Sequence, residues 1–266
     1  MSVDRALLAA YLRQRAELGE RQVFLEGMDR LEAVALLGRR QASGVRLQGP
    51  PIDAAAAPGH PASDPIPARV REPGVAYASA AAALAALAEE IAACHQCAVA
   101  GACTRVVVGD GSPDAEVMVI GEAPGAEEDR TGVPFVGRAG KMLDLLLASI
   151  GFPRERVYIC NVLKCRPPEN RDPTPEEVAK CSPHLRRQID IVRPRVILAV
   201  GRFSAQFLSG SDAPMSRLRG RVHSYEGVPV VATYHPAYLL RSPGEVRKCW
   251  EDLQLLRSVF DGGRVA

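Results

Sequence analysis

Four short runs of apolar, largely β-branched residues recur in the second half of the chain, at positions 117–120, 157–159, 196–200 and 228–232. Segments of helical character separate and follow them, at 139–150, 175–192, 203–208 and 245–260. Apolar strands of this length alternating with helices predict a parallel sheet covered by helices on both faces, because a strand that is apolar throughout has no wet side. The expected fold is therefore α/β, a three-layer α/β/α arrangement around a central four-stranded parallel sheet. Pro229 lacks an amide for the ladder, so the last strand is expected to be ordered only from Val230.

That scaffold sorts the unusual residues. Gly121 and Glu122 follow the first run, Asn161 the second, Gly201 the third, and Tyr234, His235 and Pro236 the fourth. All fall at carboxyl ends of strands, which in an open parallel sheet line a single crevice where ligands bind. Four segments far apart in sequence are thereby expected to form one site.

The first part of the chain reads differently. Up to residue 41, apolar positions recur at three- and four-residue steps between charges, the signature of an amphipathic helical extension that Gly19 divides in two. It reads as an accessory hairpin on the main domain or as a docking element for a protein partner. Residues 42–76 turn to Ala, Pro and Gly with few large apolar side chains, a linker expected to be disordered. The main domain is expected over 77–266, with an Ala-rich helix at 80–93 leading into Cys94.

The opening residues mix charges among apolar positions, unlike a secretory signal, and no apolar run approaches the ~20 residues of a membrane span. A cytoplasmic, nucleoid-associated monomer with no membrane contact is expected. There its seven cysteines favour metal ligation over disulfides. Cys94 and Cys97 form a close pair; Cys165 and Cys181 lie far apart. Zinc ribbons usually carry two short Cys-x-x-Cys knuckles, although four thiolates would also suit zinc. A net charge of +2 across 266 residues excludes a uniformly basic surface, so any nucleic-acid contact must come from a local patch. The single tryptophan, Trp250, argues against a stacking platform for single strands.

Individual residues have competing roles. Gly121-Glu-Ala-Pro-Gly125 is either an ordinary strand-to-helix loop or a turn whose backbone approaches a ligand, with Glu122 at the crevice. Phe135, among glycines, either plugs the core or stacks on a flat ring. The amide of Asn161 either caps a turn or reads a pyrimidine edge with its paired donor and acceptor. His235, stiffened by Pro236, can donate to charge developing on a leaving group.

Four segments carry a specific resemblance: Gly121-Glu-Ala-Pro-Gly-Ala-Glu-Glu-Asp129, Gly132-Val-Pro-Phe-Val-Gly-Arg-Ala-Gly140, Asn161-Val-Leu-Lys-Cys-Arg-Pro-Pro-Glu-Asn-Arg171 and Ala232-Thr-Tyr-His-Pro-Ala-Tyr-Leu-Leu-Arg241. In these the chain resembles family 4 uracil-DNA glycosylases, the iron–sulfur class, from about Cys94 onward. The resemblance implies a monofunctional hydrolase of base-excision repair that acts on uracil-containing DNA. It also implies a 4Fe-4S cluster held by Cys94, Cys97, Cys165 and Cys181, with Cys103, Cys160 and Cys249 structural. Phe135 would stack on the extruded uracil, Asn161 would read its edge, Glu122 and Ala123 would supply main-chain contacts, and His235 would face O2. Leu239 or Leu240 would wedge into the duplex. Arg138, Lys141, Lys164, Arg166, Arg171 and Arg241 would provide the local positive field.

Family 1 enzymes carry an aspartate where this chain has Ala123, so Glu128 becomes the candidate for orienting water. Two other readings stay open. A covalent uracil-DNA trap would need a histidine that residues 166–173 lack. A non-catalytic DNA-binding protein would use the N-terminal helices for recruitment.

Overall fold

The computed structural model describes residues 22–24, 46–48 and 79–262. In the N-terminal unit, β1 (Gln22–Phe24) pairs in parallel with β2 (Arg46–Gln48). Those residues fall where the sequence pattern suggested helix and linker; Val23 and Phe24 also suit a pleated ladder. The rest of the expected helical extension and linker lies outside the described residues.

In the second unit the chain runs through α1 (Ala80–Ala92), β3 (Asp110–Gly111), β4 (Val117–Gly121), α2 (Ala126–Thr131), α3 (Arg138–Ser149) and β5 (Val157–Asn161). It continues through α4 (Pro175–Val192), β6 (Val196–Val200), α5 (Arg202–Ser209), α6 (Met215–Leu218), β7 (Val222–Tyr225) and β8 (Val228–Thr233), and ends with α7 (Pro236–Arg241) and α8 (Val246–Phe260). No described helix is long and apolar enough to cross a membrane.

The sheet has six strands in the order β3-β5-β4-β6-β8-β7. Its four central strands are the parallel set expected from the apolar runs. The expectation of four strands is corrected by two antiparallel edges, β3 on β5 and β7 on β8. Both escape a search for apolar runs: β3 is two exposed residues and β7, Val-His-Ser-Tyr, alternates between exposed and half-buried positions. The edge strand also explains Pro229. Pairing of β8 with β6 starts at Val230, but Val228 and Pro229 already pair with β7, so the strand begins two residues earlier than expected.

Alternation along the strands builds the two cores. Met118, Ile120, Tyr158, Cys160, Ile197 and Ala199 face Leu185 and Ile189 of α4 and Leu208 of α5. Val117, Val119, Ile159, Leu198 and Val231 face Leu143 and Leu147 of α3 and Leu253 and Leu256 of α8. The three-layer arrangement follows. The connection leaving β4 runs towards β5 and that leaving its other neighbour, β6, runs the opposite way, so the two diverge and the crevice opens at Gly121, the last residue of β4.

Helix α4 is fixed at its start by a reciprocal capping box. Thr174 Oγ1 accepts from the Glu177 amide at 3.3 Å, and Glu177 Oε2 accepts from the Thr174 amide at 2.8 Å. Arg171 grips the same buried carboxylate with two donors, at 2.5 and 2.9 Å. The Arg171 guanidinium and the Thr174 amide hold the Glu177 carboxyl down to about 2. A carboxylate with a depressed pKa stabilises the fold fully above its unfolded value, and that contribution is lost as pH falls through the folded value. Glu177→Gln should therefore cost about 1–2 kcal/mol at pH 7, the scale of a cap plus a partly exposed ion pair. In urea unfolding the gap between variant and wild type should shrink on going from pH 7 to pH 3. An equal gap at both would contradict the assignment.

Candidate active site

The ends of β4 and β5 lie side by side, with Gly121 and Asn161 in register. A side chain at Gly121 has no room: a Cβ there would sit 2.4 Å from Asn161 Oδ1 and 2.7 Å from the Phe135 ring. Glycine is thus what lets the amide and the aromatic ring meet over the strand end. Asn161 is 1% exposed, and its Oδ1 has no hydrogen-bond partner among the described residues. A buried amide oxygen left without a donor is a cost that a bound ligand can remove. The backbone of β5 continues past Asn161 to bond β4 and the turn beyond it, Val162 N to Gly121 O and Leu163 N to Glu122 O, each at 3.0 Å.

Phe135 is nearly buried and has a left-handed backbone, φ 52°. That conformation costs a non-glycine residue about 1–3 kcal/mol and persists only where the surroundings dictate it. Here they do so from three sides. Arg154 donates to the carbonyls of Pro134 at 2.7 Å and Phe135 at 3.2 Å. Glu128 Oε1 accepts from the amides of Val136 at 3.0 Å and Gly137 at 3.2 Å. Gly140, at the start of α3, lies so close behind that a Cβ there would collide with the Phe135 carbonyl.

These contacts reassign Glu128. The residue expected to orient water has one carboxylate oxygen committed to two amides of the Phe135 loop. It serves as a clamp that aims the ring. Its charge still acts on His235, favouring the protonated imidazole.

His235 precedes α7 and caps it, its Nδ1 accepting from the Ala237 amide at 3.1 Å. An Nδ1 that accepts leaves the proton on Nε2, the nitrogen free to donate. Burial, with the Arg241 charge nearby, lowers the imidazole pKa to about 4, so the ring is neutral near pH 7. The ring lies 5.6 Å from that of Phe135, tilted by 31°. Asn161 and His235 therefore come together at the strand ends as expected, with Phe135, from the loop before α3, beside both.

Glu122 borders this group. Burial and the Asp172 carboxylate raise its pKa, while Arg202 opposes the rise. Arg202 and Asp172 pair with each other at 2.8 Å. Ala123, half-buried beside it, offers no titratable group.

The DNA-facing set needs sorting. Leu239 is 1% exposed in the core beneath α7, so it is not a wedge; Leu240 is 38% exposed and points outward. Arg241 is exposed. Arg166 is half-exposed, with Nε donating to Asn170 at 2.8 Å. Arg171 is tied to Glu177 and braces α4. Lys164 leaves the positive field altogether: it is 1% exposed, its Nζ donating to Asn161 O at 2.6 Å and to Gln188 Oε1 at 2.5 Å.

Cys94, Cys97, Cys165 and Cys181 line one cavity together with Lys164. The Lys164 amide donates to Cys181 Sγ at 3.3 Å. Burial pushes the Cys165 thiol well up, reinforced by a hydrogen bond with Cys103 and by the neighbouring Cys181 and Cys97. Cys103, expected to be structural, sits beside Cys165. His184, on α4, lines the cavity and escaped the sequence reading. Cys160 and Cys249 are buried in the sheet core and under α8, as expected of structural residues.

Comparison with known proteins agrees with this geometry. The family profile described as the Uracil DNA glycosylase superfamily matches residues 108–254. The chain is 51% identical over 162 residues to the type-4 uracil-DNA glycosylase of Archaeoglobus fulgidus, covering 58% of this chain and 81% of that protein. It is 45% identical over 174 residues to the type-4 enzyme of Thermotoga maritima, covering 64% and 91%. A type-5 uracil-DNA glycosylase of Pyrobaculum aerophilum is 37% identical over 155 residues, with 51% and 67% covered. A profile spanning more than half of the sequence, and relatives of this identity matched over most of their length, place the chain in the uracil-DNA glycosylase superfamily, among its type-4 members.

Proposed function

We propose that this protein hydrolyses the N-glycosidic bond of deoxyuridine in DNA, releasing free uracil and leaving an abasic site in base-excision repair. The observation that carries the reading is the buried, unpartnered Asn161 Oδ1 facing the Phe135 ring. Uracil offers an N–H donor on the edge where cytosine has a bare nitrogen acceptor, so an acceptor fixed in the pocket favours uracil. The base must leave the duplex to reach it. Leu240 and Arg241 are placed on α7 to occupy the gap and hold the backbone, with Arg166 as a further phosphate contact.

The chemistry follows from what the pocket contains and lacks. Position 123 offers no carboxylate, and Glu128 is engaged with the Phe135 loop. Bond breaking therefore leads, and water captures an oxocarbenium-like sugar afterwards. His235 supports the departing anion through a neutral Nε2–H donor, which strengthens as negative charge builds on uracil O2.

We further infer that Cys94, Cys97, Cys165 and Cys181 hold a 4Fe-4S cluster. The four cysteines line one cavity, the donor set that such a cluster requires. A backbone donor to Cys181 Sγ suits a thiolate. Such a centre supplies a cross-link between α1, the segment after β5, and α4, with no part in the bond-breaking step.

Purified protein incubated with uracil-containing oligonucleotides, followed by alkaline cleavage at abasic sites, should give strand breaks at uracil positions. Intact strands would sink the proposed activity. His235→Ala should lower the single-turnover rate by roughly 10²–10³-fold while DNA affinity falls far less. Because the imidazole is already neutral above a pH of about 4, the wild-type rate should show no inflection near 6.5; one that vanishes in His235→Gln would overturn the neutral-donor assignment.

Asn161→Asp replaces the amide donor with a second acceptor. Uracil excision should slow by roughly 10-fold or more, the scale of one mispaired buried hydrogen bond, while cytosine gains relative to uracil. Unchanged discrimination would place the edge-reading group elsewhere. For the metal centre, iron and acid-labile sulfide should be present in anaerobically purified protein. A colourless preparation with stoichiometric zinc would replace the cluster with a zinc site.

A further inference from the structure

His184 stands one helical turn beyond Cys181 on α4 and lines the cavity of the four thiols. It is 5% exposed, and neither Nδ1 nor Nε2 has a hydrogen-bond partner among the described residues. Buried polar groups without partners are rare, and each calls for an explanation.

The nearby charges do not provide one. The Glu90 carboxylate is taken by Arg187, and the Lys164 ammonium is held by the Asn161 carbonyl and Gln188. An imidazole carries at least one ring N–H in either protonation state. The remaining walls include the apolar side chains of Ile91, Val99 and Leu163, with Gln96 and Lys180 as further polar members, and none of them pairs with His184. Four of the lining residues are cysteines, whose sulfurs can accept.

We propose that His184 is a positioning residue of the metal centre, donating a ring N–H hydrogen bond to a sulfur of the cluster or of its thiolates. The proposal rests on the cluster reading above. An iron–sulfur centre on four thiolates would be anionic, and its sulfurs would be strong acceptors in a buried enclosure, where a hydrogen bond is worth more than in water. A donor to such a sulfur favours the more negative, reduced state and so raises the reduction potential. It also holds the ligand in place against loss of the metal. The apolar alternative, a ring that merely fills space, predicts indifference to replacement by a hydrocarbon of the same size.

The test uses the full chain, purified anaerobically as wild type and as His184→Phe, His184→Leu and His184→Gln. Iron and sulfide are quantified first. Loss of the visible absorption band under excess chelator is then timed, and reduction is followed by a redox titration monitored by paramagnetic resonance. His184→Phe and His184→Leu should lose the cluster at least about 10-fold faster, the scale seen when outer partners of metal ligands are removed, and should be reduced at a lower potential. His184→Gln keeps an N–H donor and should stay closer to wild type on both measures.

Wild-type lability and potential in the Phe and Leu variants would overturn the proposal and leave the cluster standing. So would a defect confined to Phe, which would report a packing fault, or equal defects in all three variants, which would show that the donor is not what matters. Wild-type protein without iron or sulfide would overturn the cluster reading, and the role of His184 with it.

Discussion

The buried ammonium of Lys164 is the joint on which this molecule turns. Its Nζ donates to the main-chain carbonyl of Asn161, at the candidate site, and to Gln188 on α4. Gln188 passes the connection on, its amide reaching Val108 O at 2.8 Å and the Tyr158 hydroxyl at 3.1 Å. The Lys164 main chain completes the link through Cys181 Sγ. A cation is not buried cheaply, and the oxygens at its head are neutral dipoles. A polyanionic centre in the adjoining cavity would supply the charge this arrangement favours. The candidate site and the thiol cavity thus share a wall through Lys164.

Much of the fold could be read because parallel strands buried on both faces leave an unambiguous trace. Each of the four central strands is an apolar run, and their carboxyl ends place Gly121, Asn161 and His235 together without reference to any relative. The edges left no such trace. Two exposed residues in β3 and the mixed Val-His-Ser-Tyr of β7 satisfy ladder hydrogen bonds without a hydrophobic signature. In helices, the phase of a short segment decides exposure. Over the six residues of α7 nothing in the pattern separates Leu239, which goes into the core, from Leu240, which does not.

Polar side chains were harder to read, because their roles depend on partners far away in sequence. Lysine and arginine are read as solvated charges by default, yet Lys164 is enclosed and Arg171 is bound to a helix cap. The Thr174-Pro-Glu-Glu177 pattern is itself a recognisable helix start. What it does not reveal is the guanidinium waiting on the same carboxylate. Glu128 acts on amides eight and nine positions away, and only the folded loop shows that its task is to aim a ring. His184 looks like any polar residue on an amphipathic helix until both of its nitrogens are found without partners.

The left-handed backbone at Phe135 has an evolutionary corollary. At position 135 two demands oppose each other. Glycine, asparagine or aspartate would sit more comfortably at φ 52°, but none of them fills the core space the ring occupies or offers a broad aromatic face. The clamps from Arg154, Glu128 and Gly140 let such a residue be kept, so the freedom of all three to vary is tied to a ring that none of them replaces.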